Sequence, residues 1–342
     1  MATANHSKLV YVDTMELEHG HDLAPNYSSL VVLSHDKVIV VDSMARNLRL
    51  HSLQDGQLLA IYDTLESAPC DICICSTHNN EIKMAVWLET CPIQILSIKS
   101  TGLTSTITAV RKLDVMTKFD DCQGVKYLNE KLLICGRQKY NRNDYSLCWG
   151  IVSITDGHVD KVNTVCKGED YSSCCISINP QDDNMVYISC DAGIEYPNNT
   201  GVYGYRNSTL EFLYQHKKLD YPRGITVDRW GYIFVCNYYS PCIHHLTEKG
   251  QLVTIYWEGM TSDPSAIFWE EQQGLLYITK FRTNLIAVYR PVYSDHQGDH
   301  KEPELQGSDE RKQSVSEETS TQAEQEAKHS DDGSSDGSKP PS

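Results

Sequence analysis

The sequence predicts an all-β fold, a six-bladed β-propeller over residues 8–290, followed by a disordered acidic tail over 291–342. Three observations predict this fold. A unit of four short strands recurs six times, no unit shows the 3.6-residue hydrophobic period of a helix, and one unattached strand precedes the first unit. Four-stranded units that repeat at about 40 to 50 residues are typical of propeller blades.

The unit that begins at Tyr221 shows the four strands most clearly. Its strands read GITVD, YIFVCN, CIHHLT and LVTIYW, and they are rich in β-branched and aromatic residues. Gly231 and Gly250 lie in turns, where glycine supplies a positive φ, and Pro241 lies between strands rather than inside one. This pattern predicts one antiparallel four-stranded blade.

Five further copies of the unit are identified by an apolar residue at the same point of the first strand. The six equivalent residues are Leu30, Ile72, Val125, Ile176, Ile225 and Ile267. Their spacings are 42, 53, 51, 49 and 42 residues. The sixth unit stops one strand early, and the segment KLVYVD at 8–13 is available to complete it. We therefore expect the N-terminal strand to close the ring and to leave no large sheet edge exposed.

Negative charge is concentrated at the end of the chain. The sequence has 46 acidic and 30 basic residues, a net charge of −16, and residues 291–342 hold 13 acidic against 5 basic residues. That segment contains no Phe, Trp, Ile or Cys, so it buries too little apolar surface to offset the entropy of ordering and is predicted to be disordered. The acidic excess argues against a strongly basic nucleic-acid-binding chain, and no DNA partner is expected.

Cysteine use and hydropathy indicate the cellular setting. All 13 cysteines lie in the body, their number is odd and the first residues lack the pattern of a secretory signal, so we expect free thiols in the cytoplasm. Cys70 and Cys73 form a C-x-x-C pair, and without a second pair they are interpreted as small strand hydrophobes. No apolar run reaches the roughly 18 residues of a membrane helix, so no membrane partner is expected.

The segment from Tyr221 to Ile255 carries the sharpest motif. It reads PRGITVD, then GYIFVCN, IHHL and KGQL, and in this form it resembles an NHL repeat. The matching residues are Pro222, Gly224, Ile225, Val227, Asp228, Gly231, Ile233, Val235, Asn237, Ile243 and Gly250. The body as a whole resembles the NHL propeller at the C-terminus of many tripartite-motif (TRIM) proteins. This resemblance implies a module that docks substrates or partners, with a link to ubiquitin-ligase pathways.

The sequence departs from that family in two ways. Ser240, Pro241 and Cys242 stand where the family usually has Asn, His and Arg, so ligand contacts at those positions do not carry over. The paired zinc ligands of a RING finger and B-boxes and the heptads of a coiled coil are also missing. Ubiquitin-ligase activity is therefore not implied, and docking is the function that the resemblance supports.

Blade geometry predicts which loops share a face. When the four strands of a blade are labelled a to d in chain order, the b–c loops and the d–a crossings lie at the same end of the strands. We term this end the b–c face. The candidate partner-binding residues there are all arginine, lysine or tyrosine: Arg46, Arg137, Lys139, Tyr140, Arg142, Tyr196, Tyr221, Arg223, Tyr238, Tyr239, Lys280 and Arg282.

These residue types predict the kind of partner. Arg and Tyr are enriched in interface hot spots, so this face is predicted to bind a protein or peptide partner. RNA is the alternative, because guanidinium groups pair with phosphates and tyrosine rings stack on bases. Against RNA, the body outside the tail has a net charge of −8, which opposes phosphate attraction at long range.

The sequence offers little for catalysis. The main polar residues of the predicted inner strands are Asp71, Asn179 and Asp228, and Asp228 lies beside a turn, where it is expected to accept turn hydrogen bonds. His244 and His245 are adjacent on one strand, so their rings point to opposite faces and cannot share a metal. We therefore expect no enzyme activity, metal or cofactor. A metal-dependent hydrolase or lactonase with its site in the channel is a further alternative.

Overall fold

The computed structural model describes residues 7–20, 24–89, 91–101, 104–115, 119–139, 145–168, 173–192, 199–257 and 263–293. These residues form 24 β-strands in six sheets. Except for residues 291–293, the predicted acidic tail lies outside the described residues. Within the described ranges, no helix is long and apolar enough to cross a membrane.

Each blade is one sheet of four strands. Blade 1 consists of β2 (Tyr27–Ser34), β3 (Lys37–Asp42), β4 (Asn47–Ser52) and β5 (Leu58–Tyr62). Blade 2 consists of β6 (Pro69–His78), β7 (Glu81–Leu88), β8 (Cys91–Thr101) and β9 (Thr104–Leu113). Blade 3 consists of β10 (Asp121–Leu128), β11 (Lys131–Lys139), β12 (Tyr145–Ser153) and β13 (Val159–Gly168). Blade 4 consists of β14 (Ser173–Asn179), β15 (Asp182–Asp191), β16 (Gly201–Arg206) and β17 (Thr209–Tyr214). Blade 5 consists of β18 (Pro222–Val227), β19 (Ile233–Asn237), β20 (Cys242–Leu246) and β21 (Leu252–Tyr256). Blade 6 consists of β22 (Pro264–Glu270), β23 (Leu275–Lys280), β24 (Leu285–Val292) and, as its fourth strand, β1 (Lys8–Glu16).

The blades form a closed ring. The first strands of neighbouring blades contact each other all the way round, and the ring closes where β2 meets β22. β1 pairs antiparallel with β24, from Lys8 opposite Val292 to Glu16 opposite Leu285. The predicted six blades and N-terminal closure are therefore confirmed, and β1 runs to Glu16 rather than ending at Asp13.

Apolar side chains fill the space between adjacent blades. The six equivalent first-strand residues are all buried, and each lies opposite an apolar residue of the second strand. Between blades 1 and 2, Leu48 and Leu50 pack with Ile72, Met84 and Val86. Because each sheet is covered by the sheets beside it, the fold builds its core without a layer of helices.

Two-residue hairpins make several of the a–b connections. Asn79 and Asn80 have φ of 46° and 64°, and Asn129 and Glu130 have φ of 48° and 63°. Two consecutive positive φ angles define the type I′ turn, whose twist matches that of the strands and which favours Asn. These turns lie at the face opposite the b–c face, so the longer connections are left to the b–c face.

Candidate interaction face

A recurrent backbone hydrogen bond joins the b–c loops to the d–a crossings. The residue after strand b donates its N–H to the carbonyl of the residue before strand a. The pairs are Ser43 to Asn26 (3.1 Å), Glu89 to Ala68 (2.9 Å), Tyr238 to Tyr221 (3.0 Å) and Phe281 to Asp263 (2.8 Å). In these four blades the two kinds of loop therefore share one face, as the strand order predicts.

The central channel opens on the b–c face. A cavity of about 590 Å³ lies where the six inner strands begin, and every blade contributes to its wall. One lining residue from each blade is Ser28, Cys70, Gln123, Cys174, Arg223 and Ser265. Glu89, Asp121 and Arg137 also line it, so the wall carries both signs of charge. We term this cavity the channel mouth.

Three aromatic rings surround Arg223, and a fourth packs against them. The Arg223 Cζ lies 4.4 Å from the ring centroid of Tyr238, 5.1 Å from that of Tyr221 and 5.7 Å from that of Phe281. The Tyr239 ring packs on Tyr221 with 4.8 Å between centroids and is 67% exposed. We term Arg223 and these four rings the aromatic cluster.

Asn237, the last residue of β19, holds the loops of this cluster in place. Its Oδ1 accepts hydrogen bonds from the backbone N–H groups of Asp220 (3.1 Å) and Tyr221 (3.0 Å). Its Nδ2 donates to the carbonyls of Lys218 (2.8 Å) and Ser240 (3.1 Å). Because Asn237 is fully buried, this side chain satisfies backbone groups that water does not reach and fixes the d–a crossing against the b–c loop.

Blades 5 and 6 bring together five of the predicted partner-binding residues. Four of them belong to the aromatic cluster, and the fifth, Arg282, has its Cζ 5.1 Å from the Phe281 centroid. Arg223 lies in β18 rather than in the crossing where the sequence placed it. Sequence reasoning misses Phe281, since its contact with Arg223 joins two blades. The available signal is an aromatic residue directly after strand b.

The other predicted residues lie apart from this cluster. Arg137 lies in β11 rather than in a loop, forms an ion pair with Asp121 and lines the channel mouth. Arg46 is exposed in blade 1, with a φ of 53°. Lys280 ends β23 and is 8% exposed, so it is not presented on a loop as the sequence predicted. The described residues do not include the side chain of Lys139 or any part of Tyr140, Arg142 and Tyr196.

The inner-strand carboxylate of Asp71 is used to hold blades together. Its Oδ1 accepts from the Ser29 hydroxyl (2.5 Å) and from the Ile72 N–H (2.9 Å), and its Oδ2 accepts from the Val125 N–H (2.7 Å). These residues lie on β2, β6 and β10, so one buried side chain connects blades 1, 2 and 3.

Asp228 caps the a–b turn of blade 5, as its place beside a turn predicts. Its Oδ1 accepts from the N–H groups of Trp230 and Tyr232, both at 2.9 Å, and its Oδ2 accepts from the Tyr293 hydroxyl. Burial raises the pKa of Asp228 to about 6. The carboxyl therefore takes part in the packing of the turn.

His244 and His245 point to opposite sides of β20, as predicted. His244 Nδ1 lies 2.8 Å from the Tyr214 hydroxyl, whereas the His245 ring stacks on Phe234 with 4.5 Å between centroids. Burial lowers the pKa of His244 to about 4 and that of His245 to about 3. Among the residues that the structure describes, no group of three or more His, Cys, Asp and Glu side chains is arranged to hold a metal ion.

Two thiols at the channel mouth, those of Cys70 and Cys175, are held in their protonated form. Burial is the main cause that raises the pKa of Cys70 and of Cys175 well above the ordinary value. The thiolate is the nucleophilic form, so these two side chains are weak nucleophiles at neutral pH. The Sγ atoms of Cys166 and Cys190 lie 3.9 Å apart, which is a contact between thiols and not the distance of a disulfide bond.

Comparison with known proteins defines the class of fold. No protein-family model matches the chain. No curated protein matches it either. A solved protein of unknown function from Bacteroides thetaiotaomicron superposes with a TM-score of 0.59 and 12% identity, covering 84% of this chain and 76% of that one. The WD40 β-propeller domain of Doa1 superposes with a TM-score of 0.53 and 13% identity, covering 82% of this chain and 96% of that one. The chain is therefore a six-bladed β-propeller protein, and at these identities the fold alone is shared.

Proposed function

We propose that this propeller is a non-catalytic docking module that binds a protein or peptide partner on the b–c face. The aromatic cluster carries this proposal. Tyr239 exposes most of its ring and packs on Tyr221, whose ring contacts Arg223 in the wall of the channel mouth. Asn237 fixes the loops that carry these tyrosines. Rigid aromatic side chains bury a large area on binding at a low cost in side-chain entropy, and Tyr and Arg are the residue types of interface hot spots.

A closer relation to TRIM-type NHL docking modules is part of the proposal. It is supported by the motif at Tyr221–Ile255, in which Asn237 has the physical role of clamping the two loops of the aromatic cluster. A link to ubiquitin-ligase pathways rests on that resemblance. The cytoplasmic location is supported by free thiols such as those of Cys70, Cys174 and Cys236, which suit a reducing compartment.

The absence of catalysis is proposed from the state of the polar groups near the channel. Asp71 uses both carboxylate oxygens in hydrogen bonds between blades. Cys70 and Cys175 are protonated, so neither is poised to attack a substrate. These groups are used in packing the ring, which favours binding over chemistry at this face.

The docking function is tested by removing the exposed rings. The Tyr238→Ala/Tyr239→Ala protein is compared with wild type by quantitative affinity capture with cross-linking, and partners cross-linked to blades 5 and 6 are expected to be lost from the variant. The control is Tyr11→Ala/Val12→Ala, which removes two side chains that are also exposed, at 54% and 46%, on the outer strand β1. Equal recovery of those partners with the variant and the wild type would show that the face is assigned wrongly.

RNA binding is tested on the same face with different variants. The exposed Tyr239 ring and Arg282 favour it, and the net charge of the body opposes it. A random RNA pool retained by the wild type, released by salt and lost with Arg142→Glu/Arg282→Glu would replace the protein-docking proposal with RNA binding. Failure of the wild type to retain the pool at moderate salt removes the alternative.

A further inference from the structure

The charge of Arg223 has no acidic partner within the described part of the chain. No carboxylate oxygen there lies within 4.0 Å of its guanidinium, and its buried Nε has no hydrogen-bond partner. The other arginine of the cavity wall is neutralised, since Arg137 pairs with Asp121. Arg223 is surrounded by rings, which attract a cation but do not accept the directed hydrogen bonds that a guanidinium donates.

We propose that the channel mouth binds one acidic side chain of a peptide partner, with Arg223 as its counter-ion. This inference rests on the proposed docking function and names the chemistry that the docked segment must carry. The carboxylate is the natural ligand because the planar guanidinium matches it with two parallel hydrogen bonds.

The surroundings of Arg223 favour such a contact. Tyr238, Tyr221 and Phe281 hold the guanidinium in place, so little side-chain entropy remains to be lost on binding. The rings also exclude water from part of the group, which strengthens its attraction for a carboxylate relative to an exposed arginine. Arg223 is therefore prepared for an anion before any partner arrives.

The wall of the channel mouth adds a neutral donor. Gln123 Oε1 accepts the N–H of Cys174 at 2.6 Å, which orients the amide and leaves its Nε2 as the donating end. The cavity of about 590 Å³ has room for an extended acidic side chain and the peptide that carries it. The exposed Tyr239 ring packs on Tyr221, which contacts Arg223, and it provides an apolar surface for a neighbouring residue of the peptide.

The other charges of the mouth limit how acidic the partner is. The carboxylate of Asp121 is balanced by Arg137, but Glu89 is exposed on the rim of the same cavity. Like charge at the rim repels a run of acidic residues. The expected recognition element is therefore a single Asp or Glu next to an apolar or aromatic residue, rather than an acidic cluster.

The test is a selection from a randomised dodecapeptide display library on the intact protein. Wild type is expected to select peptides with one fixed acidic position. Replacing that acid by its amide in a synthetic, fluorescently labelled peptide is expected to weaken binding about tenfold or more, as judged by fluorescence polarisation. This arm changes the peptide alone, so it does not depend on how any protein variant folds.

Protein variants then assign the contact to Arg223. Arg223→Gln is expected to cause the same loss, Arg223→Lys a smaller loss, and Arg223→Glu is expected to bind the peptide that carries Lys at the acidic position. Arg290→Gln is the matched control, because Arg290 is an exposed arginine of β24 away from the channel mouth and is expected to bind as wild type. Restored binding with the reversed charges would tie the two groups to each other.

Two results separate failure of this inference from failure of the docking function. If the selected peptides lose binding with Tyr238→Ala/Tyr239→Ala but show no acidic position and are unaffected by Arg223→Gln, docking stands and the acidic contact is overturned. If no selected peptide is affected by the tyrosine variant, the docking function itself fails. Unchanged binding of the amide peptide also overturns the inference.

Discussion

Asp71 shows how one buried side chain supports the ring. Its carboxylate accepts hydrogen bonds from the Ser29 hydroxyl of blade 1 and from the Val125 N–H of blade 3, whereas Asp71 itself lies in blade 2. Removing it leaves both donors buried without acceptors, and each such group costs about 1 to 3 kcal/mol. The effect of Asp71 is therefore on the junction between blades rather than within one sheet.

We expect Asp71→Ala to lower the free energy of unfolding by about 3 kcal/mol, because two buried donors lose their acceptor. Urea unfolding followed by tryptophan fluorescence measures the change. Asp160→Ala is the control, since Asp160 is 42% exposed in its ion pair with Lys131, and a loss below about 0.5 kcal/mol is expected there. Similar losses in the two variants would contradict the bridging role of Asp71.

Three fully buried histidines make the stability depend on pH. Burial lowers the pKa of His51 and of His244 to about 4 and that of His245 to about 3, while the unfolded chain binds protons near pH 6.5. Below pH 6.5 the unfolded state therefore binds more protons, and stability is lost as pH falls towards 4. Asp228 acts in the opposite direction, because its pKa is raised to about 6 and the folded state holds that proton more tightly.

We expect a net loss of stability as the pH falls from 7.5 to 5.0, because the effect of the three histidines exceeds the opposite effect of Asp228. Each buried histidine contributes about 2 kcal/mol to this loss. In His245→Phe, which keeps a ring to stack on Phe234, the loss over this range is expected to be smaller by about that amount. Urea midpoints at the two pH values measure it, and equal losses in variant and wild type would rule out His245 as a contributor.

At the scale of elements, β1 is the strand on which ring closure depends. It completes blade 6 by pairing with β24, and its register shifts between Tyr11 and Asp13. Val10, Tyr11 and Val12 are exposed on it, so the outer edge of this blade is apolar. A bulge disrupts the regular ladder, which makes the exposed edge a poorer template for pairing with another chain.

We expect a circular permutant that joins residue 293 to residue 7 through a short Gly-Ser turn, and opens the chain at residues 21–23, to fold with unchanged circular dichroism. Lys8 already lies opposite Val292, so the new connection is an ordinary c–d hairpin. The linear chain over residues 7–293 is the control. Because closure becomes local, the permutant is expected to refold faster in stopped-flow fluorescence, and an unfolded permutant would contradict the assigned register.

At the scale of the whole molecule, the number of blades could be predicted because each blade is marked by residues within its own segment of the sequence. Turn residues and the repeated apolar position, such as Ile225 in β18, mark every blade without reference to the others. The ends of strands depend less on local sequence. Arg137 and Lys280 belong to strands, rather than loops, because each lies opposite a residue of the neighbouring strand. Strand propensity at these residues does not decide where a ladder ends.

The candidate site could be predicted only in part, for the same reason. Tyr238 and Tyr239 follow a clear strand, so their place on the b–c face can be read from the sequence. The contact between Arg223 and Phe281 joins two blades, and the bridging role of Asp71 joins three. Such contacts depend on how blades stand next to each other, which no single unit of the repeat encodes.

The pairing of Lys8 with Val292 also matters for how the protein is made. A ribosome adds about 5 to 20 residues per second, so on the order of 15 to 60 s pass between synthesis of the first strand and that of its partner. Through that interval the backbone of Lys8–Glu16 lacks the strand with which it pairs in the folded protein. Within the body, β1 is thus the last strand to gain its partner, although it is made before the others, and the ring stays open until nearly the whole body has been translated.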